Sequence, residues 1–253
     1  MFNIAINTFR ELARNKILYM ILFFWVLLIV FSLALASLSM GQTDKIVLDF
    51  WLAMIEIFWL VSVIFIWSQL IFKEIEWKTI YLILSKPISR YQFILWKFVW
   101  FSMILACIVF FQSVIFAWLL IYSKTAITYL IPAAIVFIYF KLILLFAIIL
   151  FFSTFVSSIL SIVLTILIYF ISHSLTSIID MAVHAKSAVM LNIGKVCYLV
   201  FPNFEALNIK SAIMSWVKIS YQFIAFNMLY ALIYLILILG FTIIIFNRKT
   251  FEN

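Results

Sequence analysis

The chain has 253 residues, of which 69% are hydrophobic and only 10% are charged. A soluble domain carries about a quarter charged residues and still exposes a large surface to water, so these proportions exclude a soluble enzyme and a disordered chain. Two cysteines are too few for a disulfide-stabilised secreted domain, and the net charge of +8 favours contact with anionic lipid headgroups over nucleic acid. We therefore expect an all-α integral membrane protein with one transmembrane domain over residues 1–253.

The first 17 residues are predicted to form an amphipathic helix at the membrane surface. Their apolar side chains recur at steps of three and four residues and so share one helical face. These residues are Phe2, Ala5, Ile6, Phe9, Leu12, Ala13 and Ile17. Such a helix lies in the headgroup plane, either as an anchor alone or as a surface that also docks a partner.

Apolar runs of about twenty residues predict six membrane spans, because a helix rises about 1.5 Å per residue across a hydrocarbon core of about 30 Å. The predicted spans cover residues 18–39, 50–72, 98–122, 131–152, 157–179 and 225–246. The fourth and fifth come from one apolar run, Ile131 to Ile179, which is too long for a single crossing. We place its turn in the polar stretch from Ser153 to Ser158.

The distribution of Lys and Arg predicts that both termini are cytoplasmic. Under that topology the inner segments, which include residues 1–17 and 73–97, hold more of these residues than the longer outer segments. The longest outer segment, 180–224, is interrupted at Pro202, and its apolar stretches are too short to cross the bilayer. It predicts short helices that lie on or dip into the outer leaflet before the last span, where they are placed to form an outer gate.

The inner loop 73–97 contains the densest group of charges in the chain. It is predicted to form a short helix over residues 74–84, a break at Pro87, and a new helix that starts near Ser89. The hydroxyl oxygens of Ser85 and Ser89 are expected to accept free amide N–H groups at a helix start. The loop would then be a rigid polar elbow; the alternative is a charged solvated loop that only fixes the topology.

From Glu74 to Arg90 this loop reads E-x-E-x-x-T-I-x-x-I-L-S-x-P-I-S-R, and I-L-x-K follows at residues 94–97. In these motifs it resembles the cytoplasmic loop of type-2 ABC transporter permeases, the membrane subunits of ATP-driven exporters. Two further stretches extend the resemblance over nearly the whole chain. Phe9 to Tyr19 resembles the connecting helix and entry to span one, and 198–208 resembles an outer segment of permeases grouped with copper-enzyme maturation.

The resemblance implies a coupling helix in the inner loop that seats in a groove of a separate ATPase subunit. The coupling residues that it implies are Glu74, Glu76, Thr79, Leu84, Ser85, Pro87, Ile88, Ser89 and Arg90. It also implies ABC ATPase subunits that carry ATP and Mg²⁺, a second copy or a related permease subunit that helps to enclose the path, and a location in the bacterial inner membrane. This chain itself is expected to bind no cofactor, no metal and no nucleic acid.

The chain lacks the loop that ATP hydrolysis requires, so it is expected not to be an enzyme. A Walker A loop has the pattern G-x-x-x-x-G-K-[ST], whereas the one Gly-Lys pair, Gly194-Lys195, has Val at the first Gly position and at the Ser/Thr position. The alternatives to a permease are a membrane scaffold or assembly factor without transport activity, and a polytopic lipid-modifying enzyme. The residues do not indicate which substrate a permease would carry.

Two charged residues, Glu56 and Lys141, fall inside the second and fourth predicted spans. Each charge costs about 2.5–3.5 kcal/mol near a span centre on insertion scales, so we expect the two residues to pair or to line the translocation cavity. Small hydroxyl side chains also recur every four residues and predict a helix-packing seam, or alternatively a dimer or cavity face. They are Ser153, Ser157, Ser161 and Thr165.

Overall fold

A computed structural model of the protein describes residues 30–31, 34, 43–64, 89–122, 128–186, 188–214 and 218–248. Over these residues the chain is all-helical and has no strand. The helices are α1 (Thr43–Ser62), α2 (Arg90–Tyr122), α3 (Leu130–Ser153), α4 (Ser158–His184), α5 (Ala188–Val200), α6 (Lys210–Met214) and α7 (Tyr221–Arg248). A 3-10 turn, Glu205–Leu207, lies between α5 and α6.

Four of the described helices, α2, α3, α4 and α7, are long and apolar enough to cross a membrane. The described part of the chain is therefore all-helical, and its four long apolar helices are typical of a membrane protein, as the composition predicts. These helices lie over the stretches predicted as spans three to six. Most of the first predicted span, the interfacial helix and the coupling helix lie outside the described residues, and so does the end of the second span. The count of six spans therefore stays a prediction.

The chain divides into two compact units, the first of which comprises residues 1–55 and 110–127. Aromatic stacking holds the described part of this unit. The Trp51 indole stacks on the Phe116 ring with centroids 5.6 Å apart, and both side chains are buried. Phe31 stacks on Phe50 at 5.7 Å. Pairs of this kind contribute about 0.5–1.5 kcal/mol beyond the area that they bury.

The second unit comprises residues 56–109 and 128–253, and its core is α3. Every residue of α3 from Lys141 to Leu150 is buried, and α4 and α7 both pack against this helix. The first half of α2 also contacts it, since Phe98 and Phe101 lie against the Phe146 ring. A helix that is apolar all round is expected in such a buried position.

The chain reverses direction between α3 and α4, in the stretch where the sequence predicts a turn. The turn contains neither Gly nor Pro. Instead, the Ser153 and Thr154 hydroxyls donate to backbone carbonyls one turn earlier, at 2.6 and 2.7 Å. Side-chain bonds of this type offer the backbone an alternative to the helix ladder and help to end α3.

α7 begins at the same end of the second unit as α3. The Tyr129 ring, just before α3, lies 5.3 Å from the Tyr221 ring, and its hydroxyl donates to the Ile219 carbonyl at 2.9 Å. We call this the Tyr129 end of the unit. The opposite end, where α3 turns into α4, is the Ser153 end.

Residues 188–214 form a hairpin that enters the second unit from the Tyr129 end and returns to it; we call it the re-entrant segment. Its first arm, α5, runs back along α4, because Gly194 contacts the Ile179 side chain and the Phe204 amide donates to the Ser172 carbonyl. A Cβ at position 194 would lie 3.2 Å from Ile179, so glycine permits this close approach. The 13 residues of α5 span about 20 Å, which brings the chain to the middle of α4.

The tip of the re-entrant segment, residues 201–209, is largely irregular and covered by protein. Phe204, Leu207 and Ile209 are all buried. The Asn203 side-chain oxygen accepts the Glu205 amide at 3.0 Å and thereby starts the 3-10 turn. Non-helical backbone at membrane depth requires protein or water around it, and this burial provides the protein cover.

Candidate intramembrane charge site

Glu56 contacts two lysines from different parts of the second unit. The Nζ of Lys141, on α3, lies 2.6 Å from Glu56 Oε1, and the Nζ of Lys210, at the start of α6, donates to Glu56 Oε2. The exposed fraction of the side chain is 5% for Glu56, 1% for Lys141 and 17% for Lys210. These three residues, which we call the charge triad, form one ion-paired network that is shielded from solvent.

The charge triad lies at mid-length of a helix that is long enough to cross a membrane. Lys141 is midway between Leu130 and Ser153, so roughly 17 Å of helix separates it from either end of α3. Charges at this depth are costly unless they are paired, because the surroundings do not solvate them. The Glu56 carboxylate meets this requirement for both lysines by using one oxygen for each.

A second group of polar side chains lies between the re-entrant segment and α4. The Nδ2 of Asn208 donates to both carboxylate oxygens of Glu205, at 3.2 and 3.3 Å, and His173 Nδ1 lies 3.5 Å from Glu205 Oε2. The Glu205 and His173 side chains are 38% and 40% exposed, far more than those of the charge triad. Together with Ser172, which adjoins His173 and is fully buried, these residues form what we call the Glu205 cluster.

Three atoms of the Glu205 cluster are buried yet make no hydrogen bond within the described part of the chain. They are Ser172 Oγ, His173 Nδ1 and Asn208 Oδ1. A buried polar atom without a partner costs about 1–3 kcal/mol, and such atoms are rare in native proteins. Two of these atoms, His173 Nδ1 and Asn208 Oδ1, belong to side chains that contact the Glu205 carboxylate, so the unmet hydrogen-bonding capacity lies beside this group.

Two tyrosines of α7 hold the tip of the re-entrant segment. The Asn203 amide donates to the Tyr230 hydroxyl at 2.8 Å, and the Tyr234 hydroxyl donates to the Val200 carbonyl. The two tyrosines are one helical turn apart and therefore face the same side of α7. The position of the tip is thus linked directly to the position of α7.

Of the predicted coupling residues, the structure describes only Ser89 and Arg90; those from Glu74 to Ile88 lie outside the described residues. α2 begins at Arg90, so the prediction of a helix start near Ser89 is confirmed. The prediction that the Ser89 hydroxyl caps this helix is wrong: among the described residues its oxygen has no partner. The Gln92 side chain instead accepts the Ser89 amide at 3.3 Å, which is one half of a capping box.

Arg90 connects the start of α2 to the end of α7. Its guanidinium donates to the Asn247 carbonyl at 3.3 Å, next to the last residue of α7. A cation beside the C-terminal carbonyls of a helix is favourable, because these carbonyls carry the negative end of the helix dipole. The Phe93 ring, one turn further along α2, stacks on Phe246 at 6.1 Å. The end of the predicted coupling loop is therefore fixed to α7 at the Ser153 end.

The predicted hydroxyl seam is narrower in the structure than in the sequence pattern. Ser161 and Thr165 are fully buried on α4, and the Ser161 hydroxyl donates across to the Ile149 carbonyl of α3 at 3.3 Å. Ser157 is exposed, because it precedes α4 in the turn and is not yet on its packed face. Ser153 is buried but bonds within its own helix. Close packing of α3 on α4 therefore depends on Ser161 and Thr165.

The structure brings Glu56 and Lys141 together and adds residues that sequence reasoning did not select. Lys210, Glu205 and His173 reach the same part of the second unit only because the re-entrant segment folds back along α4. The break at Pro202 was the one available signal, since it predicts that the segment bends. It does not indicate how deep the bend lies.

Compared with models of known protein families, the chain matches none, and it matches no curated protein in sequence. These comparisons therefore assign the chain to no family.

Proposed function

We propose that the chain is the membrane-spanning permease subunit of an ATP-binding-cassette exporter. A second copy or a related subunit would enclose the translocation path with it, and separate ATPase subunits that bind ATP and Mg²⁺ would drive it. The observation that carries the proposal is the charge triad at mid-length of α3. Ionisable side chains inside membrane helices are rare, and they mark substrate or ion pathways more often than purely structural positions.

The connections between the helix ends support a role in coupling. Arg90, the last of the predicted coupling residues, contacts the end of α7, and two tyrosines of α7 hold the tip of the re-entrant segment. A displacement of the loop would therefore move α7 and, through it, the tip of the re-entrant segment, which Lys210 directly follows. Packed helices transmit such displacements as rigid elements. This gives ATPase closure a physical route to the middle of the membrane.

A membrane scaffold or assembly factor would need neither of these features. Placing two lysines and a glutamate inside an apolar bundle lowers its stability relative to a well-packed apolar core. A scaffold gains nothing from that cost, whereas a permease needs polar groups along its path. The orientation that fits this function has residues 73–90 and both termini on the cytoplasmic side of the bacterial inner membrane.

Purification of the tagged chain from its native membranes in mild detergent tests the proposal. We expect a protein with a Walker A loop to co-purify, and the reconstituted complex to hydrolyse ATP. The Arg90→Gln variant is expected to assemble with this protein but to lose most of the ATPase activity that substrate stimulates. The matched control is Arg248→Gln, which removes the same charge from the exposed last residue of α7.

Failure to recover an ATPase subunit would contradict the proposal. So would labelling of cysteines placed in residues 73–90 by a reagent that cannot cross the membrane, because it would put the loop on the outside. An assembled complex in which Arg90→Gln behaves like Arg248→Gln would remove Arg90 from the coupling route.

A further inference from the structure

The Glu205 cluster differs from the charge triad in how its charge is compensated. Among the described residues, His173 is the one ionisable group at ion-pair distance from Glu205, at 3.5 Å. The two nearby lysines of the site, Lys141 and Lys210, both bind Glu56 instead. Among the described residues, no lysine or arginine side chain therefore lies within ion-pair distance of the Glu205 carboxylate.

The Glu205 cluster lies near the middle of a helix that is long enough to cross a membrane. His173 lies near the middle of α4, about 17 Å of helix from its last residue, His184. A carboxylate that is 38% exposed at this depth cannot face lipid without a large cost, so this side of α4 must face water, protein or a ligand. The exposed His173 and Glu205 side chains therefore mark this face of α4 as a place where a polar ligand can reach the cluster.

The atoms of the cluster that lack a partner are mainly hydrogen-bond acceptors, so they favour a ligand that donates hydrogen bonds. The Glu205 carboxylate and Asn208 Oδ1 only accept hydrogen bonds, whereas Ser172 Oγ and a neutral His173 Nδ1 can accept as well. Asn208 Oδ1, Ser172 Oγ and His173 Nδ1 are also buried and unpartnered among the described residues. An anion would be repelled by Glu205 and would find few donors. An ammonium group supplies a positive charge and N–H donors at one point.

The aromatic side chains around the cluster are also suited to an organic cation. The Tyr169 ring is parallel to the His173 ring, with centroids 5.9 Å apart, and lies 5.9 Å from the Phe204 ring. Aromatic faces attract cations and accept the methylene groups next to an ammonium. A metal ion is less suitable, because no three His, Cys, Asp or Glu side chains converge anywhere in the described ranges.

We propose that the Glu205 cluster binds the ammonium group of an amphipathic primary amine. Glu205, whose side chain is 38% exposed, supplies the countercharge and accepts N–H groups, and Tyr169 borders the carbon next to the nitrogen. Transport of such an amine rests on the proposed function, whereas binding of the amine to this site does not. The apolar tail of the amine would lie along the helix surfaces that face the bilayer interior.

The test uses the purified full chain in phosphatidylcholine nanodiscs, with dodecylamine as the probe and dodecanol as the tail-matched neutral control. Dodecylamine is expected to raise the thermal unfolding midpoint, followed by tryptophan fluorescence, and dodecanol is not. Glu205→Gln should weaken the apparent Kd for dodecylamine about 10- to 100-fold, the loss expected when a charge-assisted hydrogen bond becomes a neutral one. Asp180→Asn, which removes a carboxylate from the exposed outer part of α4, is the matched control and should bind as the wild type does.

Equal shifts by dodecylamine and dodecanol in the wild-type protein would overturn the proposal, and so would equal binding by Glu205→Gln and Asp180→Asn. Glu205→Asp keeps the charge and should still bind dodecylamine in preference to dodecanol. If the Gln variant folds poorly, equal binding of the two probes by Glu205→Asp would overturn the proposal. Amine binding needs no ATPase subunit. If an ATPase subunit co-purifies but dodecylamine does not bind, only the amine site is overturned. If dodecylamine binds but no ATPase subunit co-purifies, only the permease assignment is overturned.

Discussion

Replacing Glu56 with Gln is expected to destabilise the protein more than removing either lysine of the charge triad. The substitution preserves the size of the side chain but removes the charge that Lys141 and Lys210 both contact. Removing one partner of a buried ion pair costs about 3–5 kcal/mol, because the remaining charge stays buried without compensation. We therefore expect Glu56→Gln to lower the free energy of unfolding by about 3–5 kcal/mol.

The two lysines should give smaller and unequal effects. Lys210→Met leaves the Glu56–Lys141 pair intact, and Lys210 is itself partly exposed, so a loss of about 1–2 kcal/mol is expected. Lys141→Met leaves Glu56 with one lysine and should give an intermediate loss. The double variant Glu56→Gln/Lys141→Met retains only Lys210, whose long side chain can reach towards solvent. It is therefore expected to be more stable than the sum of its single substitutions predicts, by at least about 1 kcal/mol.

The measurement is reversible unfolding of the full chain in mixed micelles with increasing dodecyl sulfate, followed by tryptophan fluorescence. Wild type, the three single variants and the double variant are compared at one detergent concentration. A coupling energy below about 0.5 kcal/mol would refute the reasoning, since independent sites add within that margin. A larger loss for Lys210→Met than for Glu56→Gln would show that Lys210 acts through something other than Glu56.

Five further substitutions test the packing of the second unit by the same unfolding measurement. Gly194→Leu should cost about 1–3 kcal/mol because it forces α5 away from α4, whereas Gly240→Ala, with nothing within 4 Å of the new Cβ, should stabilise by about 0.5–1 kcal/mol. Ser161→Leu should destabilise by a similar 1–3 kcal/mol or so, and Ser157→Leu should be neutral because its side chain is exposed; equal effects would contradict the buried seam. Tyr230→Phe leaves the Asn203 amide without its acceptor and should cost about 1–3 kcal/mol; an unchanged midpoint would show that the re-entrant tip is not held there.

Local sequence patterns were sufficient for the features that depend on one helix or one turn. The run from Ile131 to Ile179 is too long for one span, and the polar stretch from Ser153 to Ser158 lies at its middle, so the reversal after Ser153 follows from length and position. The contact between Glu56 and Lys141 follows in the same way, because two opposite charges inside apolar runs have few alternatives to each other.

The remainder of the site depends on long-range packing that no local pattern reveals. The apolar stretch of α5 has the same hydropathy whether it lies on the membrane surface or folds back along α4. The absence of a side chain at Gly194 lets it approach Ile179, and this contact fixes the arm that leads to Lys210. From the sequence, Lys210 was one more basic residue of a predicted outer segment, and His173 had no recognisable partner.

The charged side chains of the site form two pairs that are synthesised at different times, because one pair precedes α4 in the chain and the other follows it. Glu56 and Lys141 are both made before α4, and their contact is already electrically neutral when the first helices leave the insertion machinery. Glu205 and Lys210 follow together within six residues and bring one charge of each sign. The hairpin can therefore dock late, into a bundle that has already formed, without either part having to hold an unbalanced charge in the bilayer during biogenesis.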